Sequence, residues 1–243
     1  MRRWLILLPL ALILTFAATA LAQKTITPTL LDDPTDIKQY DINVTDPANC
    51  WFGNLNPPVY SIGGWLVGME GYKYLFNPWD DCDCPAGFWL QTIHFFLNFP
   101  EDIQYPYEFR VYVDLEDALW DPAIGCWVPG IEDCVSPIYT VSIPEPGTYD
   151  IGLSIGDFCE CAFMDYWYFL SVHFPDEITA SIIVDEFPTP CTVYNNWGSG
   201  WVDIFSQGFS DFGNFVMYGE GVCCDQPVDV EPQTWGRVKS LYR

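Results

Sequence analysis

Ten cysteines constrain this chain more than any other feature. They stand at positions 50, 82, 84, 126, 134, 159, 161, 191, 223 and 224, all downstream of an N-terminus arranged for export. Arg2 and Arg3 precede an apolar run from Trp4 to Phe16, and small residues close it at Ala20-Leu21-Ala22. That order is the signature of a secretory signal peptide over residues 1–22, with cleavage expected before Gln23. Export and an even cysteine count together predict disulfides, in a secreted protein that is extracellular or held at a cell surface. No later stretch is long and apolar enough to predict a transmembrane segment.

Pairing is only partly legible. Cys126 and Cys134 enclose Pro129 and Gly130, which predicts a turn and a local bridge between them. Cys50 is expected to pair with Cys223 or Cys224, because the ends of a sandwich domain usually lie close together. The C-x-C pairs Cys82/Cys84 and Cys159/Cys161 should each bridge outward, since a bridge inside C-x-C closes a strained ring. A zinc site on those four is the weaker reading, because structural zinc pairs usually show C-x2-C spacing.

Short runs rich in aromatic and β-branched residues recur between Pro, Gly and Asp clusters, at 60–67, 72–76, 88–99, 108–114, 138–143, 149–155, 167–174, 179–184, 201–205 and 214–219. About ten strands without helical periodicity predict an all-β fold, an antiparallel β-sandwich or jelly roll stapled by disulfides. The expected organisation is a signal peptide over 1–22, an extended arm over 23–49, one sandwich domain over 50–224 and a tail over 225–243. A weak internal repeat runs through the domain. Cys82-Asp83-Cys84 leads through an aromatic strand with His94 to Phe99-Pro100, and Cys159-Glu160-Cys161 leads through another with His173 to Phe174-Pro175.

Charge narrows the function. With 33 acidic against 9 basic residues and a net charge of -24, the chain has no basic stripe to release counterions from phosphates, which excludes nucleic acid as a partner. Gly152-Leu153-Ser154-Ile155-Gly156 has the form of a nucleophile elbow, but no helix of small residues follows, so a strand end is expected there. His94 and His173 would form half of a metal site with Glu70 or Asp165 if their strands were neighbours. Calcium is the one cofactor the acidic loops suggest, through Asp80, Asp81 and Asp83 in one and Asp157, Glu160 and Asp165 in the other. Trp79, Trp120, Trp127, Trp197 and Trp201 lie in turn-like segments. The segment Tyr194-Asn195-Asn196-Trp197-Gly198-Ser199-Gly200-Trp201 combines rings that stack on sugars with amides that bond hydroxyls.

The runs Cys126-Trp127-Val128-Pro129-Gly130-Ile131-Glu132-Asp133-Cys134, Cys159-Glu160-Cys161-Ala162-Phe163-Met164-Asp165-Tyr166-Trp167-Tyr168-Phe169-Leu170 and Asn196-Trp197-Gly198-Ser199-Gly200-Trp201 resemble a group of secreted, cysteine-rich proteins of environmental bacteria. The resemblance implies an extracellular β-rich module and brings no catalytic residues with it. The tail Thr234-Trp235-Gly236-Arg237-Val238-Lys239-Ser240-Leu241-Tyr242-Arg243 is similar to linkers that precede cell-surface sorting domains in such bacteria. Its Arg237, Lys239 and Arg243, with Trp235, Leu241 and Tyr242 as apolar anchors, suit docking on the acidic face of another copy or on an anionic envelope surface. A frayed terminus is the plainer expectation.

Three functions follow in order. The first is a non-catalytic structural, adhesive or envelope-associated module. The second is a carbohydrate-binding module, calcium-assisted in one form, that takes a glycan on Trp197 and Trp201. The third is a glycoside hydrolase, which needs two carboxylates facing across a cleft.

Overall fold

The computed structural model describes residues 27–31, 37–42, 50–82 and 84–224. The signal segment, Asp83 and the tail with its docking residues lie outside the described residues. Fifteen strands occur among the described ones: β1 (Thr27–Leu30), β2 (Ile37–Ile42), β3 (Cys50–Gly53), β4 (Tyr60–Gly63), β5 (Gly68–Phe76), β6 (Phe88–Phe99), β7 (Tyr107–Asp121) and β8 (Cys126–Val135), then β9 (Tyr139–Ile143), β10 (Gly147–Ser154), β11 (Tyr168–Glu177), β12 (Ser181–Val184), β13 (Val193–Asn196), β14 (Val202–Asp203) and β15 (Met217–Cys223). They form two sheets in a sandwich. The first runs β1-β4-β12-β6-β10-β2, with β15 on β6 and β3 on β15; the second runs β14-β13-β5-β11-β7-β8, with β9 also on β7. The described parts of the arm are therefore edge strands of the first sheet, β1 antiparallel to β4 and β2 parallel to β10, so the sandwich begins before Cys50.

Strand β6 shows how the sequence writes the core. Phe88 and Leu90 face inward, then Ile93, Phe95, Leu97 and Phe99 do so, which is alternation with one phase slip. The slip is a β-bulge, where the pairing with β15 shifts between Glu220 and Gly221. From the second sheet, Tyr72, Phe76, Val111, Val113, Leu170, Val172 and Phe174 meet them. Trp65, 1% exposed, closes one part of this core edge-on to Phe209 and Trp197. Full burial of each such ring stabilises by about 1.5–3 kcal/mol.

The outer face of the second sheet is also covered. Register shifts between Leu115 and Ala118 bend the β7–β8 hairpin, and its far end reaches β13, where Tyr194 Oη donates to the Trp127 carbonyl at 2.8 Å. Leu75, Ala118, Phe169 and Tyr194 are buried there beneath Trp127, Val128, Trp167 and Trp201. The Trp127 and Trp167 rings stack at 5.6 Å, and exposed Trp120 abuts Trp127 edge-on.

Five disulfides hold this assembly: Cys50–Cys82, Cys84–Cys223, Cys126–Cys191, Cys134–Cys159 and Cys161–Cys224. Both C-x-C pairs bridge outward, as expected. The local Cys126–Cys134 bridge is not formed. Pro129 and Gly130 lie at a bulge of an extended strand in which Cys126 and Cys134 pair with Asp121 and Leu115, six residues apart on β7 and so about 20 Å at about 3.3 Å per residue. That is far beyond the separation a disulfide spans. Cys126 instead clamps the hairpin to β13 through Cys191, and Cys134 crosses from the second sheet to the segment after β10. Nor does Cys50 pair with Cys223 or Cys224. The closeness of the two ends does hold, since Cys50 is registered with Gly221 and its sulfur lies 3.7 Å from that of Cys223. The sulfurs of Cys50, Cys82, Cys84 and Cys223 all lie within 4.8 Å of one another, so nearness of the ends alone did not select the partner.

Candidate functional site

Each sheet carries, on its outer face, a row of four residues built on the same plan. In the second sheet Asn196 pairs with Gly71, Gly71 with His173 and His173 with Tyr112 across β13, β5, β11 and β7. In the first, Asp41 pairs with Gly152, Gly152 with His94 and His94 with Tyr218 across β2, β10, β6 and β15. The glycine is what lets the imidazole lie across the neighbouring strand. A Cβ at Gly71 would come within 2.7 Å of His173 Nδ1, and one at Gly152 within 2.7 Å of His94 Cε1. On its other side each imidazole stacks on the tyrosine, with centroids 4.5 Å apart and planes 3° apart for His173 and 5° for His94. Each also meets an aspartate two residues along a neighbouring strand, on the same face. His173 Nε2 is 2.5 Å from Asp114 Oδ2, and His94 Nδ1 is 2.9 Å from Asp150 Oδ1. The two histidines thus face opposite sides of the sandwich. They cannot share a metal with Glu70 or Asp165, because their strands belong to different sheets.

The second-sheet row opens onto a cleft. A depression of about 310 Å³ is lined by Met69, Gly71, Tyr112, His173, Asn196 and Trp201, among others. The Asn196 carboxamide oxygen accepts from the Gly198 and Gly200 amides at 2.8 and 3.2 Å, folding the glycine loop that delivers Trp201. The Trp201 ring sits 4.3 Å above the Lys73 ammonium and edge-on to His173. Beneath it lies a buried charge cluster. Lys73 contacts Glu116 directly and is 4.0 Å from Asp114 Oδ1, while all three side chains are almost wholly buried. Burial pulls the Lys73 ammonium down to about 8, against the attraction of Asp114.

Of the ligand residues expected from sequence, the fold brings Asn196 and Trp201 to the cleft and turns the others away. Trp197 packs against Trp65 and the core. Asn195 points inward and donates to Glu70 Oε2 at 3.3 Å and to the Gly71 carbonyl at 3.0 Å. Tyr194 is buried in the outer layer. Trp197, just beyond the end of β13, is thus spent on packing rather than offered to the cleft. His173, Tyr112 and Asp114 were not assigned to this site by sequence. The repeat marked His173, but its partners on β7 are visible only through register.

The acidic loops do not converge. Asp81 accepts from the Gly53 amide, Asp80 from the Asn77 carboxamide and Asp165 from the Trp79 indole at 3.4 Å. Among the described residues, the cysteine quartet is the one group of three or more ligand-type side chains with donor atoms within 4.8 Å of one another, so Asp80, Asp81, Asp157, Glu160 and Asp165 form no such group. Asp83 lies outside the described residues. Ser154 ends β10 and its carbonyl accepts from Tyr139 Oη at 2.7 Å, as suits a strand end.

Burial alone would push the Asp114 carboxyl up. The hydrogen bond and charge of His173, with the charge of Lys73, outweigh it and hold Asp114 below the usual carboxylate range. A carboxylate lowered in the folded state contributes stability above its unfolded value near 3.9 and loses it as pH falls through the folded one. We therefore expect the Tm advantage of the native protein over Asp114→Asn to be full near pH 6 and to shrink toward pH 2. An advantage unchanged across that range would disprove the coupling to His173. At the other row, burial pulls His94 down but the hydrogen bond and charge of Asp150, with the charges of Glu220 and Asp41, raise it overall.

No protein family, curated protein or solved structure matches this chain. Among the described residues no helix is long and apolar enough to cross a membrane.

Proposed function

We propose that this is a secreted, non-catalytic β-sandwich module that binds a neutral glycan in the Trp201 cleft, and that it serves as an adhesive or envelope-associated domain. The observation that carries the reading is the pairing of Trp201 and Tyr112 with Asn196 and His173 around one cleft of about 310 Å³. Aromatic faces stack on the C–H surface of a pyranose while amide and imidazole groups meet its hydroxyls, and a cleft of this size takes one or two sugar units. Net charge favours a neutral or amino sugar over an acidic one, because the field of a -24 protein repels uronates and sialic acids.

The carboxylates nearest the cleft support a binding rather than a hydrolytic role. Glu70 accepts from the Val67 and Gly68 amides through one oxygen and from Tyr72 and Asn195 through the other. Asp114 is buried under His173. A general acid and its partner need oxygens free to reach the glycosidic bond. Five disulfides suit an oxidising compartment, which agrees with the export signal.

The test is a glycan array followed by calorimetry on the best neutral ligand. Trp201→Ala should weaken binding at least tenfold, Tyr112→Ala somewhat less, and Trp120→Ala, on the far part of the outer layer, should leave it unchanged. An array without signal, or binding indifferent to Trp201, would leave the structural module as the sole reading.

A further inference from the structure

Two of the five bridges share one place in the fold. Cys50–Cys82 and Cys84–Cys223 meet where β3, β15 and the chain leaving the one-turn helix Pro78–Asp81 come together. Across the two bridges, the Cys50 sulfur is 3.2 Å from that of Cys84 and 3.7 Å from that of Cys223, and the Cys82 sulfur is 3.1 Å from that of Cys84. All four lie within 4.8 Å of one another, and no other two bridges are so placed among the described residues. Each sulfur is therefore within reach of both members of the neighbouring bridge. Cys50 and Cys84 are sealed in the core, at 2% and 0% exposure, whereas Cys82 and Cys223 are only partly buried.

We propose that this quartet is a thiol–disulfide exchange centre, in which a low-molecular-weight thiol converts Cys50–Cys82 and Cys84–Cys223 into Cys50–Cys84 and Cys82–Cys223. In such exchange a thiolate attacks one sulfur of a disulfide and displaces the other as a thiolate. An external thiolate that attacks the Cys223 sulfur forms a mixed disulfide there and releases Cys84. The Cys84 thiolate, held against the Cys50 sulfur, attacks it, forms Cys50–Cys84 and releases Cys82. The Cys82 thiolate then attacks Cys223, forms Cys82–Cys223 and expels the external thiolate. Three S–S bonds form and three break, the thiol is returned, and nothing is oxidised or reduced overall. Entry at Cys82 instead frees Cys50 and reaches the same products. The Cys82 and Cys84 sulfurs are also close, but joining them would close the strained ring of a C-x-C bridge. What drives the sequence is placement: a thiolate fixed beside a second disulfide reacts at an effective concentration that no thiol in solution matches. A thiolate freed from Cys126–Cys191 has no second bridge beside it and can only reclose.

The experiment treats the disulfide-intact protein with substoichiometric β-mercaptoethanol. Samples are alkylated, cut by a protease that cleaves before aspartate, so that Asp83 parts Cys82 from Cys84, and mapped unreduced by mass spectrometry. The expected result is a peptide joining Cys50 to Cys84. It should form at a rate proportional to the thiol concentration and level off at a share independent of it, because the thiol is not consumed. Cys126–Cys191, Cys134–Cys159 and Cys161–Cys224 should persist. In Cys223→Ser, which frees Cys84 without any added thiol, alkylation should mark Cys82 as well as Cys84. In the control Cys191→Ser it should mark Cys126 alone. Near-ultraviolet circular dichroism verifies that both variants fold, and should Cys223→Ser not fold, the thiol-dependent mapping of the native protein decides. Cys50 joined only to Cys82 at every thiol concentration that leaves the other bridges intact would overturn the centre. So would label confined to Cys84 in folded Cys223→Ser.

Discussion

Replacing Lys73 with methionine will destabilise the protein by about 3–5 kcal/mol, the usual cost of removing one partner from a buried ion pair. Lys73 is the only cation in contact with Glu116 among the described ion pairs, and it also faces Asp114. Without it, two carboxylates remain under the outer layer with no opposite charge except that shared with His173. Urea unfolding followed by tryptophan fluorescence measures the loss as a lower midpoint at unchanged slope. The double variant Lys73→Met with Glu116→Leu should recover much of it, because an apolar replacement of a buried pair is often neutral. A single-variant cost below about 1 kcal/mol would mean that water reaches the cluster and screens it. The same change removes the ammonium on which the Trp201 ring rests, so glycan affinity should fall with stability.

The second large effect concerns the Cys126–Cys191 clamp. Changing both cysteines to serine should cost about 4 kcal/mol in the chain-entropy description of a bridge across 65 residues. Its local consequence is more diagnostic than its size. The β7–β8 hairpin is bent over the outer face and pinned there, so without the bridge its far end should lift. Amide exchange should rise at Trp127 and Tyr194, while the inner strands β6 and β11 keep the protection of the global fold. Equal loss of protection in all strands would show that the bridge holds the whole sandwich and not the hairpin alone.

Strand β6 was legible to the residue because twelve residues, eight of them apolar or aromatic, run between a glycine and a proline with neither inside. Strand β8 was missed for the opposite reason. Pro129-Gly130 has the chemistry of a turn, yet the clamp and the pairing with β7 hold it extended as a bulged strand. Strand β13 reads Val-Tyr-Asn-Asn, too polar to stand out. The two arm strands borrow their register from β4 and β10 and have little pattern of their own. At the site, Trp201 and Asn196 could be found because a ring and an amide in a glycine loop are a local signal. Tyr112 and Asp114 could not. Their meeting with His173 depends on the alignment of β7 with β11, a long-range fact that no local window contains.

The second sheet ends on one side in the two residues of β14 and on the other in β8. Along β8, Pro129 offers no amide proton, the bulges break the regular ladder, and Glu132 and Asp133 stand exposed. These are the devices by which natural sheets refuse a foreign strand. Crowded together, copies of this protein would find no template along β8 for growing into a continuous ribbon. Contacts made across β8 would have to form through side chains, and so stay reversible and responsive to salt.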